Sequence, residues 1–165
     1  MFSKIFKVKK FKDHSLEAYL NILSQKTPVP GGGSVAALVG SLGAGLLSMV
    51  ANYSLGKGSA SIDTRIRKIL KKSEFLRREL LILVDLDAQA YLKVVDARNK
   101  SDKEKKKAAL EAKRVSLKVC NLCFQSVQLA PELVKIGNKY LVSDVQVAVE
   151  LLLAAFNSAL ILAKI

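Results

Sequence analysis

The stretch that decides the fold is Thr27-Pro28-Val29-Pro30-Gly31-Gly32-Gly33-Ser34, followed by uncharged residues as far as Gly56. Its two prolines hold the entry extended, because proline fixes its own φ and disfavours the helical region for the residue before it. The three glycines allow another group to approach the main chain closely. Ser34 has the character of an N-cap, so the sequence predicts a helix from Val35 to about Tyr53.

This predicted helix carries a stripe of small side chains and is apolar over most of its remaining surface. The small residues recur every four positions and are Ala36, Gly40, Ala44, Ser48 and Asn52. A glycine inside a helix costs about 1 kcal/mol relative to alanine, so we expect close packing against this face, within one subunit or across a two-fold axis. An apolar helix of this length either forms the centre of a soluble core or spans a membrane. The charged amphipathic helices elsewhere favour the soluble core.

Length, charge and cysteine content narrow the class of protein. The chain has 165 residues, which suits one domain, and its formal net charge of +13 predicts attraction to anions. Few residues are aromatic, which argues against a nucleic-acid surface built by stacking. The two cysteines make no disulfide framework, so a reduced, cytoplasmic compartment is the simplest interpretation. Residues 1–14 alternate basic and apolar side chains without the apolar core of a signal peptide, and we expect a leader outside the domain.

A second long helix, from about Ile62 to Asn99, places one carboxylate among apolar residues. At 38 residues it would be about 57 Å long, which predicts an elongated bundle. At 100° per residue, the side chains within about 60° of Asp87 are Leu76, Leu80, Leu83, Ala90, Tyr91 and Val94. Asp85 lies on the opposite face. A carboxylate in an apolar stripe is costly unless it is paired, protonated or functional, so Asp87 is either a functional group or half of a structural ion pair.

The remaining predicted helices cover residues 15–25, 102–130 and 145–165. Pro131 should kink or restart the helix that precedes it, and Ser143 with Asp144 should open the last one. Cys120 and Cys123 lack the further ligands of a zinc site and are predicted to be core residues; no metal is expected. No strand-period segment follows residue 11, so the fold class is all-α, an elongated bundle of about five helices. The last helix stops within an apolar pattern, and we expect a missing C-terminal segment.

Several short motifs occur together along the chain. In order they are Ser15-Leu16-Glu17, Thr27–Ala37, Ser48–Asn52, Lys57, Asp87-x-x-Ala90-Tyr91, Gly137-Asn138 and Ser143-Asp144. Together they resemble the formiminotetrahydrofolate cyclodeaminase / methenyltetrahydrofolate cyclohydrolase family over residues 15–165. The resemblance implies a single all-helical domain that is soluble, forms a homodimer and needs no metal or other cofactor. The chain departs from the family pattern at Tyr140, which replaces an asparagine, at Ser116, which replaces a proline, and in lacking a C-terminal helical segment.

The resemblance also implies a reaction on a reduced folate, with or without a polyglutamate tail, in one-carbon metabolism and histidine degradation. N10 attacks the formimino carbon on N5, ammonia leaves and the 5,10-methenyl cation forms; the related hydrolase activity adds water to that cation. Asp87 would carry the proton. The substrate-binding residues that the resemblance implies are Pro30, Gly31, Gly32, Gly33, Ser34, Asn52, Lys57, Asn138 and Asp144.

Two alternatives stay open from the sequence. Because of Tyr140, the chain could be a folate-family scaffold that binds a ligand or partner without turnover. A basic, membrane-associated helical protein is the other class, although the resemblance argues against a membrane partner and the few aromatic residues argue against a nucleic-acid partner.

Overall fold

The computed structural model describes residues 10–164, and this part of the chain is helical with no strand. Most of the predicted leader, residues 1–9, and the last residue lie outside the described residues. The helices are α1 (Leu16–Leu23), α2 (Gly32–Ser54), α3 (Ala60–Ala97), α4 (Asp102–Val127), α5 (Ala130–Ile136) and α6 (Val142–Ala163). The prediction of an all-α bundle of about five helices is confirmed, with α5 as the short restart that Pro131 predicted.

Helix α2 occupies the centre of the bundle, packed between α3 and α6 and reaching α4. Its small residues allow this close packing. A Cβ on Gly40 would lie 2.9 Å from Cys123 Sγ, and a Cβ on Gly43 would lie 2.9 Å from the Ala148 carbonyl oxygen. The stripe of small side chains therefore packs inside the subunit, except that Asn52 at its end is exposed.

The longest helix, α3, has the predicted 38 residues and a length of about 57 Å. Ser59 caps it by accepting the Ile62 N–H at 3.3 Å. Helix α4 begins with a reciprocal capping box between Ser101 and Glu104. Both cysteines are free and buried on α4, which confirms them as core residues.

Three helix starts differ from the prediction. Helix α3 begins at Ala60 rather than at about Ile62. Helix α2 begins at Gly32 with Gly31 as its N-cap, so Ser34 is not the cap but lies in the first turn. Ser34 is fully buried, and its hydroxyl makes a hydrogen bond with the Tyr19 hydroxyl. Helix α6 begins at Val142 rather than Val145, because a 3-10 turn over Lys139–Leu141 runs directly into it.

The N-terminal part of the described chain packs differently from expectation. In α1, Leu16 and Leu20 are 72% and 59% exposed, and Tyr19 is the buried residue of this helix. Phe11, placed in the leader by the sequence, is buried within a 3-10 turn over Phe11–Asp13. Asp85 is only 7% exposed, because Phe11 covers the face of α3 opposite Asp87.

Two segments of the described chain, α2 and Lys139–Ala163, are long and apolar enough to cross a membrane by length and composition. Most of the apolar window of α2 is buried within the bundle, as in a core helix, whereas a smaller share of the second segment, 28%, is buried.

Candidate functional site

A cavity of about 380 Å³ opens at the N-terminal end of α2, between α3 and α4. It is lined by Pro28, Val29 and Gly31–Gly33 before and in α2, by Asp87, Tyr91 and Val94 on α3, by Ala109, Ala112, Lys113 and Ser116 on α4, and by Leu162 on α6. Its size and its mostly apolar wall with a few polar groups are typical of a site for a small organic molecule.

The Asp87 carboxylate sits directly against the backbone of Gly33. A Cβ on Gly33 would overlap this carboxylate, whose more distant oxygen Oδ2 would lie only 2.7 Å away. The adjacent Ser34 N–H donates a hydrogen bond to the carboxylate. Glycine at position 33 is therefore required by a close approach and not by an unusual backbone angle.

This contact explains how α2 is capped. Gly31 is the N-cap and has no side chain to accept the free amides of the first turn. Asp87 of α3 takes the place of a local cap by accepting the Ser34 N–H, in the third position of α2. The positive end of the helix dipole faces the same carboxylate. Because Gly32 and Gly33 carry no side chains, the start of α2 remains open to the cavity and suited to an anionic or carbonyl oxygen.

The electrostatic state of Asp87 follows from two opposing effects. Burial raises the pKa of its carboxyl above the ordinary value, and the Ser34 N–H opposes this by stabilising the charged form. The net effect is a raised pKa, so Asp87 holds its proton at higher pH than an exposed aspartate does. A half-buried carboxyl of this kind, facing a cavity, is suited to accepting and returning a proton.

Three further polar residues line the cavity and were not assigned a function from the sequence. Tyr91 follows Asp87 by one helical turn, and Lys113 and Ser116 face them from α4. Lys113 is the cationic residue of this lining. The small neighbours Ala109, Ala112 and Ser116 recur at helical spacing beside it, which is the pattern that could have indicated a cavity-facing side of α4.

The predicted site residues fall into two groups. Gly31, Gly32, Gly33, Ser34 and Asp87 meet at the start of α2, and Pro30 is buried beside them without lining the cavity. The second group lies at the other end of α2 and consists of Asn52, Lys57, Asn138 and Asp144. Helix α2 has 23 residues, so its two ends are about 34 Å apart. Within a single subunit, residues of both groups therefore cannot contact the reacting carbon of one folate.

Hydrogen bonds hold the second group at that end. The Asn138 N–H donates to Ser54 Oγ at 2.8 Å, and Asn138 Oδ1 accepts the Tyr140 N–H at 3.1 Å. Asn52 and Lys57 are exposed, whereas Asp144 is half-buried in the first turn of α6. Tyr140 is 92% exposed, so it does not reach the Asp87 cavity of its own subunit.

Within residues 10–164, no cluster of three or more histidine, cysteine, aspartate or glutamate side chains could hold a metal ion. The polar groups of the cavity, namely one carboxyl, two hydroxyls and one ammonium, instead suit hydrogen bonding to an organic ligand.

Comparisons with known proteins agree with the motifs. The family model described as formiminotransferase-cyclodeaminase matches residues 15–165. A methenyltetrahydrofolate cyclohydrolase from Methylorubrum extorquens is 34% identical over 158 residues, covering 89% of this chain and 76% of that protein. The formimidoyltransferase-cyclodeaminase of Rattus norvegicus is 32% identical over 151 residues, covering 85% of this chain but only 28% of the longer protein.

A solved structure has the same fold. The crystal structure of formiminotetrahydrofolate cyclodeaminase from Thermotoga maritima superposes with a TM-score of 0.89 at 29% sequence identity, over 93% of this chain and 78% of that one. The resemblance drawn from the motifs is thus confirmed by sequence and by fold. The chain belongs to the formiminotransferase-cyclodeaminase family.

Proposed function

We propose that this protein is an enzyme of folate one-carbon metabolism that acts on the carbon bridging N5 and N10. The reactions are ring closure of 5-formiminotetrahydrofolate with release of ammonia, hydrolysis of 5,10-methenyltetrahydrofolate, or both. Family membership supports the substrate class. The observation that carries the proposal is the Asp87 carboxyl, held against Gly33 and the Ser34 N–H at the wall of a cavity of about 380 Å³.

In ring closure, one carboxylate serves both proton transfers. N10 attacks the carbon of the protonated formimino group, the N10–C bond forms as the C=N double bond becomes single, and the N10 proton passes to Asp87. Asp87 then returns this proton to the former imino nitrogen as its bond to carbon breaks, so that ammonia leaves and the methenyl cation remains. Because burial raises the pKa of Asp87, its protonated form is a weaker acid than an exposed aspartic acid, and its carboxylate is a correspondingly stronger base for accepting the N10 proton.

In hydrolysis, the same carboxylate acts first as a base. A water molecule attacks the methenyl carbon, and one of its protons passes to Asp87 as the C–O bond forms. Asp87 then gives this proton to N5 as the C–N5 bond breaks, the hydroxyl proton is released to solvent, and a formyl group remains on N10. The negative charge of Asp87 also stabilises the cationic substrate inside an apolar cavity, where electrostatic interactions are stronger than in water.

The rest of the cavity suggests how the folate binds. We propose that the open amides at Gly32 and Gly33 bind an oxygen of the substrate and that Tyr91 and Ser116 supply hydrogen bonds. Lys113, the cationic residue of the cavity lining, would bind the carboxylate of the glutamate tail. The motifs implied Lys57 as the substrate-binding lysine. We assign Lys113 instead, because Lys57 lies at the other end of α2 from Asp87.

We further propose that the protein is a homodimer in which the second group of residues completes the cavity of the partner. One face of α2 is apolar along its whole length, and its residues lie within about 40° of one line. They are Val35, Val39, Leu42, Leu46, Met49 and Tyr53. Leu42, near the middle of the helix, is 53% exposed. An antiparallel pairing of two such faces about a two-fold axis brings the Asn52 end of one helix beside the Gly33 end of the other.

The test follows both possible substrates with the purified chain. We expect the methenyl chromophore to appear from 5-formiminotetrahydrofolate, to disappear from 5,10-methenyltetrahydrofolate, or both, in the soluble fraction and unaffected by EDTA. Asp87→Asn is the matched control for proton transfer. Saturable binding of either folate without turnover would favour the scaffold alternative, and a requirement for detergent would favour membrane association over a cytoplasmic enzyme.

A further inference from the structure

The hydroxyl of Tyr19 is a buried polar group, close to Asp87, that the proposed mechanism has not used. Tyr19 is 4% exposed, and its Oη lies 2.9 Å from Ser34 Oγ, with either atom able to donate. Ser34 is fully buried, and its own N–H donates to the Asp87 carboxylate. One residue of α2 therefore links α1, through its side chain, to the proposed acid–base group on α3, through its backbone.

Tyr19 is itself fixed by the segment that precedes it. Its ring makes an edge-on contact with the Phe11 ring, with centroids 6.3 Å apart. The Phe11 N–H donates to Asp85 Oδ1 at 2.6 Å, two residues before Asp87 on α3. The N-terminal segment is thus anchored to α3 at Asp85 and reaches the same helix again at Asp87 through Tyr19 and Ser34.

The hydrogen bond between Tyr19 and Ser34 suits a role in orientation more than in bulk stability. Helix α1 has Tyr19 as its single buried residue and leaves Leu16 and Leu20 exposed. A phenylalanine would fill the same apolar space. The buried hydroxyl instead meets a hydroxyl on the first turn of α2, where the orientation of the Ser34 amide toward Asp87 is set.

The geometry points to Tyr19 as a positioning residue that, through Ser34, holds the Asp87 carboxyl in its proton-transfer geometry and sets its acidity. This inference rests on the proposed function of Asp87. Tyr19 does not line the cavity, so it acts on the reaction through Ser34 and not by contact with the folate.

The other titratable groups facing Asp87 must be distinguished from this effect. They are Tyr91 on the same helix and Lys113 across the cavity on α4, and the part of α6 that lines the cavity contributes only Leu162. Tyr19 also faces Asp87, and burial raises the pKa of its phenol, so it remains an uncharged hydroxyl at neutral pH. Changing the Tyr19 hydroxyl therefore removes a hydrogen bond without removing a charge from the site.

The experiment compares Tyr19→Phe, Ser34→Ala and the double variant with the wild type, by turnover and by titrating the Asp87 carboxyl with ¹³C NMR. The Asp87 signal is assigned by its loss in Asp87→Asn. We expect each single variant to lower kcat by about fivefold with KM nearly unchanged, since one neutral hydrogen bond is lost. A looser Ser34 amide stabilises the carboxylate less, so the Asp87 pKa and the acid limb of the pH profile both move upward. The double variant should equal the single ones.

A buried hydroxyl away from the cavity gives the matched control. Ser126 is fully buried and donates to the Leu122 carbonyl at 2.8 Å, so Ser126→Ala should leave the Asp87 titration and kcat unchanged. An Asp87 titration that coincides with wild type in both Tyr19→Phe and Ser34→Ala would overturn the inference, even if both variants melt earlier. If the titration moves but the wild type turns over neither folate, the inference on Asp87 acidity stands and the proposed function fails.

Discussion

The Asp87 carboxylate occupies the space that a side chain on Gly33 would need. This contact joins α3 to the first turn of α2 and determines where the carboxyl points. It also explains why the third residue of the triple-glycine segment is glycine, because a side chain at position 33 would displace the proposed acid–base group. Glycine at position 33 is thus needed to position Asp87 and is not needed to form the helix.

Gly33→Ala should therefore abolish activity while leaving the helix intact. Alanine has the better helix propensity by about 1 kcal/mol, but its Cβ would push the Asp87 carboxyl away from the Ser34 amide. We expect kcat/KM to fall by at least about 100-fold, as for loss of general acid–base catalysis, with helicity by circular dichroism unchanged. Steady-state kinetics and circular dichroism on the same sample make the comparison.

Gly45→Ala is the matched control for the helix effect. The nearest atom to a Cβ at this position is Arg77 Cδ, at 3.4 Å and on a flexible side chain. We expect a small gain in the free energy of unfolding, up to about 1 kcal/mol, and unchanged turnover. Wild-type activity in Gly33→Ala would show that the contact with Asp87 is dispensable.

Asp87→Asn should separate activity from stability, with a defined dependence on pH. Burial places the pKa of Asp87 in the folded chain above its value in the unfolded chain, which is about 4. Its contribution to stability is therefore fully present below about pH 4 and is lost as the pH rises through the raised pKa. Asparagine has no charge to bury, so at pH 7 the variant should unfold at the same or a higher temperature than wild type, and this advantage should vanish in acid.

The catalytic effect of the same change is expected in the opposite direction. Turnover should drop by about 10²- to 10⁴-fold, because asparagine can accept the Ser34 N–H but cannot carry a proton. Melting curves from pH 3 to pH 8, measured beside kcat, provide both results. A variant that keeps most of its turnover would remove Asp87 from the mechanism.

Periodicity predicted the elements that depend on local pattern. The 38 residues of α3, the restart at Pro131 and the buried cysteines of α4 all follow from spacing, caps and breakers along the chain. The placement of Asp87 in the apolar stripe also followed from counting around one helix. Helical periodicity could not predict which element packs against each face of a helix, because the sequence of one helix carries no information about its neighbours.

Asp85 and Ser34 illustrate that missing information. Asp85 was placed opposite the apolar stripe, and only the packing of Phe11 over that face makes it buried. Ser34 has the residue type of an N-cap, but Tyr19 and Asp87 engage its side chain and its backbone, and the helix begins earlier. In both cases a contact with a residue distant in the sequence overrode a local preference.

Lys113 should control substrate affinity. Lys113→Gln removes the cation of the cavity lining, so KM for either folate should rise by about tenfold while kcat changes little. Since the interaction is between charges at a partly open site, the difference should shrink as salt is added. Initial rates at several salt concentrations check both expectations.

Lys107→Gln is the control on the same helix. It lies six residues before Lys113, which rotates it about 120° away from the cavity, so KM should be unchanged. An equal rise in KM for both variants would indicate that overall positive charge, and not a contact in the cavity, attracts the folate.

A site shared between two subunits predicts complementation. Asp87→Asn damages the cavity at the Gly33 end of α2, and Asn52→Ala damages the group at its other end. In the proposed antiparallel dimer, a mixed dimer places both defects in one site and leaves the other site intact. Subunits mixed after mild denaturation and refolding should therefore recover up to about a quarter of wild-type turnover, because half of the dimers are mixed and each has one good site.

Leu42→Lys tests whether this recovery depends on the apolar face of α2. Leu42 is 53% exposed near the middle of that helix, where an antiparallel pair would bring the two copies of it together. Two lysines facing each other there should give a monomer in sedimentation analysis and prevent complementation, whereas Leu110→Lys, at a 49% exposed position on α4, should do neither. A monomeric wild type, or mixed variants with no recovered turnover, would instead confine the site to one subunit, and Asn52 would then have no part in the reaction.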